Sequence, residues 1–295
     1  MNNIILVHIG DLFYDYINDC IEQILIFNEN CELYLIISSI HNDKIINKNI
    51  KLINIENIKK TEKHLFFQNN SQLNTTFRGG FWKFATERFF YIEDLMIQYE
   101  LKNVFHVESD VLIYFDFNDY LSIFDEKYKI AAVFDNDDRC IPSIMYFKNI
   151  NYISDLNDFI NKNKYLNDME VISLYKKNSN IIDSLPIIPS SYKEIKTFNG
   201  KTSNNPDKFY NNYELFNSIF DGACIGQFIG GIDPIHADGG SSGFINKDSL
   251  LIPSNFEYIW EIQNNKKILF AMYNGEKIKI NNLHVHCKNL KKFKS

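Results

Sequence analysis

The chain lacks a paired-cysteine motif, a glycine-rich nucleotide loop, a long apolar run and a basic excess, and each absence removes a class of function. Its five cysteines (Cys20, Cys31, Cys140, Cys224 and Cys287) are scattered, odd in number and never spaced CxxC. That excludes a cysteine-based zinc site and fits a reducing compartment. Neither GxGxxG nor a Walker lysine loop occurs, so neither a dinucleotide fold nor a P-loop ATPase is indicated. No apolar run approaches membrane-spanning length and no basic-then-apolar leader precedes Ile4; a soluble, cytoplasmic protein is expected. With 31 Lys and Arg against 37 Asp and Glu, the net charge of −6 argues against a nucleic-acid partner.

At 295 residues, 45% of them hydrophobic and 15% aromatic, the chain can bury a large core, and disorder is excluded. No repeat, low-complexity linker or second core is evident, so a single domain over 1–295 is expected. It would divide into two halves, 1–115 and 116–295.

The chain is organised around Val104–Tyr114. There an apolar strand meets two carboxylates one residue apart, Glu108 and Asp110, and then a second apolar run begins. Ionised carboxylates in a buried strand cost several kcal/mol unless compensated. At a strand's carboxyl end, facing the crevice of an open α/β sheet, they form a seat for a divalent metal. The alternative is a strand end with ordinary solvated acids.

The opening reads β-α-β-β. A strand over 3–9 is broken by Gly10, a helix covers 13–27, and strands follow at 33–37, before Ser38, and at 50–55. Residues 64–80 read as a polar loop, 81–99 as a long helix bearing Lys83 and Arg88. Strands are expected at 130–134 and 143–147, and helices near 152–162, 168–177 and 221–229. Residues 196–212 read as a flexible stretch and 239–243 as a Gly/Ser turn. Lys267–Tyr273 and Glu276–Ile280 around Asn274-Gly275 make a type I′ hairpin, followed by a strand over 283–286.

Strand alternation puts His284 and His286 on one face, where imidazole can serve as a metal ligand or simply pack. Lys288 beside them can neutralise phosphate. Asp168 and Asp221 sit at helix starts, where capping competes with catalysis. Asp233 follows Gly230-Gly231, which allow close backbone approach to a ligand, and its carboxylate can accept from sugar hydroxyls.

Together, the Glu-Ser-Asp element, the preceding helix with Arg88, and the late strand histidine near Lys288 resemble the GT-A superfamily of nucleotide-sugar glycosyltransferases, most of all its family-8-like members. The resemblance implies an α/β fold, a GT-A-like (Rossmann-like) mixed sheet flanked by helices with a C-terminal β-hairpin. It implies Mn²⁺ or Mg²⁺ held by Glu108, Asp110 and His286. The donor, a UDP-sugar by preference, would be met by His8, Gly10, Ser38, Arg88, Glu108, Ser109 and Lys288. The acceptor would be a glycan or other hydroxyl, with Asp168, Asp221 and Asp233 as catalytic candidates. A Glu stands where the DxD motif has its first Asp, and the family's His-x-x-Gly-x-x-Lys end is not intact, so His284 competes with His286. The residues also admit a metal-dependent nucleotidyltransferase or phosphohydrolase, or a sugar-nucleotide-binding module without turnover.

Overall fold

The computed structural model describes residues 2–233 and 240–295. Its largest sheet grows from the aliphatic runs of the first half. The strands β1 (Asn2–Val7), β2 (Cys31–Ile37) and β3 (Lys51–Asn54) are parallel, with the helix α1 (Tyr16–Phe27) crossing between the first two. On the other side of β1 lies parallel β4 (Val104–Val107), preceded by the helices α2 (Glu62–Asn70) and α3 (Phe81–Gln98). After β5 (Val111–Ile113) and α4 (Phe117–Lys127) come β6 (Ile130–Asn136) and β7 (Arg139–Phe147). The sheet closes with β8 (Ile182–Ser184), which follows α5 (Ile150–Lys162) and α6 (Asp168–Asn178).

The spatial order is β3-β2-β1-β4-β7-β6-β8, with β7 antiparallel to both of its neighbours. Successive side chains of β4 show that both faces are covered, because they point oppositely. Phe105 packs on Phe124 of α4 with ring centroids 4.9 Å apart, and His106 on Phe89 of α3 at 6.1 Å. The expected mixed α/β sheet flanked by helices is what is observed.

The second half adds α7 (Tyr213–Phe216), β9 (Ser218–Ile219) and α8 (Cys224–Gly230). Three further strands, β10 (Glu257–Gln263), β11 (Lys266–Tyr273) and β12 (Glu276–Ile280), form a four-stranded sheet with β9. The expected hairpin is β11–β12, with Asn274 and Gly275 both at positive φ (49° and 84°), as its turn requires. The last strand, β13 (Asn282–His284), leaves that sheet and pairs antiparallel with β5, so His284 faces Val111. This pairing joins the C-terminal segment to the acidic element.

Four segments differ from the pattern reading. The strand expected over 283–286 ends at His284, the helix expected over 221–229 begins at Cys224, and 64–80 and 196–212 hold structure of their own. Within 64–80, residues up to Asn70 are helical. The helix α2 is capped by Thr61, whose side chain accepts from the His64 amide, and His64 and Phe67 are buried. Its exposed Leu65 and Phe66 break the apolar stripe that would have marked a helix. Residues 196–212 hold a Lys196–Thr202 bridge and a 3₁₀ turn, Pro206–Phe209, that buries Phe209. Residue 239 of the expected Gly/Ser turn lies outside the described residues. Among those described, no helix is long and apolar enough to cross a membrane.

Candidate active site

The carboxyl end of β4 runs into a tight turn, Glu108–Val111, closed by a hydrogen bond from the Val111 amide to the Glu108 carbonyl at 3.1 Å. The buried thiol of Cys20, on α1, donates to the Val111 carbonyl at 3.2 Å and braces the turn from below. Ser109 sits at its apex, and Glu108 and Asp110 flank it.

Two cations fix the two acids. Arg88 of α3, 8% exposed, bridges Glu108 through Nη1 and Asp168 through Nη2, the latter at 2.8 Å. Lys288 donates to Oδ2 of Asp110. Burial by itself would raise the Asp110 carboxyl, but Lys288 and then His284 hold it well below the carboxylate range.

His284 completes the cluster. Its Nδ1–H donates to the Gly222 carbonyl at 2.6 Å, which turns Nε2 toward Asp110 Oδ2 (3.2 Å) and Glu108 Oε2 (3.8 Å). Burial lowers the imidazole's proton affinity, yet Asp110 and Glu108 outweigh it and push the pKa up to about 9. Glu108, Asp110 and His284 offer ligand atoms that all lie within 4.8 Å of one another. His286 lies outside this group: β13 ends at His284, and the Nδ1 of His286 accepts from the Asp233 amide at 2.9 Å.

The remaining candidates divide into those near the cluster and those that support it. Asp168 is the first residue of α6. Asn167 takes the cap with a reciprocal Glu170 contact, which leaves Asp168 to Arg88. Burial pushes its carboxyl up to about 6 against the pull of Arg88 and of the Met169 and Asp168 backbone amides. Asp221 accepts from the amides of Ile225, Gly226 and His284, each at 3.0 Å, so both of its oxygens bind backbone. It ties the start of α8 to the end of β13. Asp233 meets Arg78 at 3.4 Å.

At the end of β1, His8 donates from Nε2 to the Leu12 carbonyl at 2.8 Å, and Gly10 (φ 126°) accepts from His41 at 3.1 Å. Ser38 donates to Glu56 at 2.6 Å. Lys83 does not reach the cluster; its ammonium binds the Gln68 carbonyl of α2 at 3.0 Å. Beside Lys288 opens a cavity of about 380 Å³ lined by Phe13, Tyr14, Tyr16, Asp19 and Asn289. Tyr14 and Tyr16 stack at 5.4 Å, and burial, then the charges of Asp110, Asp233 and Glu108, raise the Tyr16 hydroxyl.

Pattern reading missed Gly226. A Cβ built there would lie 1.8 Å from the His284 carbonyl oxygen, so only glycine lets α8 approach β13. A glycine inside a short helix is the one local signal for it.

No family model matches the chain, and no curated protein matches it. Among solved structures it is similar to the glycosyltransferase GlyE of Streptococcus pneumoniae TIGR4, with 16% identity over 62% of this chain and 45% of that one, TM-score 0.38. An active-site mutant of LgtC matches at 10% identity over 64% and 75%, TM-score 0.45. A cytidylyltransferase from Leptospira borgpetersenii serovar Hardjo-bovis matches at 9% over 63% and 75%, TM-score 0.38. The chain thus spans less than half the length of GlyE, and likeness of this degree decides no activity.

Proposed function

We propose that the chain is a metal-dependent glycosyltransferase that moves a sugar from a nucleoside-diphosphate sugar, a UDP-sugar in first place, to a hydroxyl of a glycan, lipid or protein. The observation that carries this is the convergence of Glu108, Asp110 and His284 at the carboxyl end of a central strand, with Arg88 and Lys288 against them. Two carboxylates and an imidazole suit Mn²⁺ or Mg²⁺. The fit is supported by the cationic groups now on Asp110, an ammonium and an imidazole nitrogen, which mark a point of strong negative potential. Glu108, Asp110 and His284, rather than His286, would hold the ion. When bound, it supplies Lewis-acid stabilisation of charge on a leaving nucleoside diphosphate.

The chain's own residues do the rest. Lys288 lies between Asp110 and the tyrosine-lined cavity, where its ammonium can meet phosphate charge as the sugar–phosphate bond breaks. Arg88 orients Glu108 and Asp168 together. The Oδ1 of Asp168, the oxygen that Arg88 does not bind, is suited to accept from a hydroxyl of the donor sugar. Asp233 is the proposed acceptor-side acid, and Asp221 a positioning residue for His284. In this reading residues 1–115 hold the donor, while 116–295 supply the acceptor side and the ligand strand. The five free cysteines suit a reducing cytoplasm.

The test is incubation of the chain with UDP- and GDP-sugars, with and without Mn²⁺, followed by product analysis. Free nucleoside diphosphate that appears only with metal supports the proposal. Pyrophosphate would instead identify a nucleotidyltransferase. A ligand at a hundredfold excess over Kd stabilises by about 2.7 kcal/mol, so a thermal-shift panel finds the donor. Binding without turnover would leave a non-catalytic module.

A further inference from the structure

A second cavity, of about 280 Å³, opens between the far end of α6, the edge strand β8 and the turn that precedes α7. The helix α6 connects it with the first site, since Asp168 begins that helix and Lys176 follows eight residues later, about 12 Å along the axis at 1.5 Å per residue. The two sites are therefore separate.

Three lysines, Lys127, Lys176 and Lys208, line this cavity with a single carboxylate, Asp183. Lys176 binds the Ser184 hydroxyl and lies 3.8 Å from the centroid of the Phe134 ring; neither neighbour is a carboxylate. Lys208 pairs with Asp137 at 2.7 Å. The remaining lining is neutral and hydrogen-bonding. Asn212 donates one amide proton to the Ser184 carbonyl at 3.2 Å, and Asn211 stands beside it.

We propose that this cavity binds a small phosphorylated polyol of the sugar-phosphate class, with its phosphate on Lys176 and Lys208 and its hydroxyls on Asp183, Asn211 and Asn212. The oxyanion half follows from charge complementarity. An ammonium half-buried beside another ammonium is destabilised, and an anion between them relieves it. Burial and then Lys208 push Lys176 down to about 8, against a smaller opposite pull from Cys140, Asp183 and Asp137. The polyol half follows from size and chemistry. The volume equals on the order of nine waters at about 30 Å³ each, more than one phosphate fills. The amides and the carboxylate on the lining are partners for hydroxyls.

The experiment is calorimetric titration of the full chain, in EDTA, with glucose 6-phosphate, inorganic phosphate and glucose. Glucose 6-phosphate should bind saturably, inorganic phosphate at least tenfold more weakly and glucose not at all. Lys176→Met should weaken glucose 6-phosphate at least tenfold. Lys208→Gln should do likewise and reads the same site if the first variant fails to fold. Asp110→Asn should leave this binding unchanged. Wild-type affinity in both lysine variants overturns the proposal, and so does loss of binding in Asp110→Asn, which would move the ligand to the β4 site. Equal affinity for phosphate and glucose 6-phosphate overturns the polyol assignment.

Discussion

The Nε2 of His284 lies 3.2 Å from Oδ2 of Asp110, although 174 residues separate them in the chain. The β5–β13 pairing brings them together, and the Nδ1–H bond to Gly222 fixes which ring nitrogen faces the acid.

The first prediction follows from that pair. Asp110→Asn keeps the shape and removes the charge, and should cut metal-dependent turnover by about 10²- to 10³-fold without unfolding the chain. His284→Ala should weaken Mn²⁺ binding by about 10- to 100-fold. His286→Ala should cost less than about 1 kcal/mol in either respect, because its Nδ1 serves the Asp233 amide. Mn²⁺ titration followed by electron paramagnetic resonance reads all three. An effect of His286→Ala as large as that of His284→Ala would reverse the ligand assignment.

The joint between α8 and β13 should be intolerant of added atoms. Gly226→Ala drives a methyl into the His284 carbonyl and should destabilise by about 1–3 kcal/mol or more. Asp221→Asn turns an amide N–H₂ toward backbone donors and should cost about 1–3 kcal/mol. Both should weaken Mn²⁺ binding through His284. Urea midpoints and Mn²⁺ affinity, measured on the same samples, check the coupling.

Arg88 holds two acids at once, buried Asp168 and half-buried Glu108. Arg88→Met strands Glu108 and Asp168 and should cost about 3–5 kcal/mol. Arg88→Lys should lose less, since one ammonium reaches one carboxylate but lacks the two-armed fork. Equilibrium unfolding in urea decides between these outcomes.

The contact between α2 and α3 should depend on pH. His64, fully buried, meets Asp94 at 2.5 Å and Glu87 at 3.2 Å. Burial lowers its proton affinity, but hydrogen bonds to Asp94 and Glu87 outweigh this, and the folded pKa is raised. A raised folded pKa stabilises the fold fully below the unfolded value of about 6.5. That contribution is lost as pH rises through the folded value. The urea midpoint of the wild type should therefore fall above pH 6.5 more steeply than that of His64→Gln. Parallel pH profiles for the two would refute it.

Much of the framework was legible in the residues because it is local. Aliphatic runs bounded by turn residues marked β1, β2 and β4, and Asn274-Gly275 marked the hairpin, since both signals arise from backbone period and turn sterics. Glu108 and Asp110 stood out because charge beside an apolar strand is anomalous within a few residues. The helix α2 was not legible: a buried His64 between acids of another helix anchors it, not an apolar stripe of its own.

Interactions between neighbours in the chain sufficed for the strands β1 to β7, the long helix carrying Arg88, the hairpin and the pair of acids, but not for β8, β9 or β10. Only the tertiary structure decided that His284 rather than His286 meets those acids, that Asp221 clamps backbone, and that Gly226 must be glycine. Alternation gives both histidines the same face, and what separates them is where β13 ends and which backbone group each ring finds, the Gly222 carbonyl for His284 and the Asp233 amide for His286. Those are contacts between segments from 53 to 174 residues apart, and no local period encodes them.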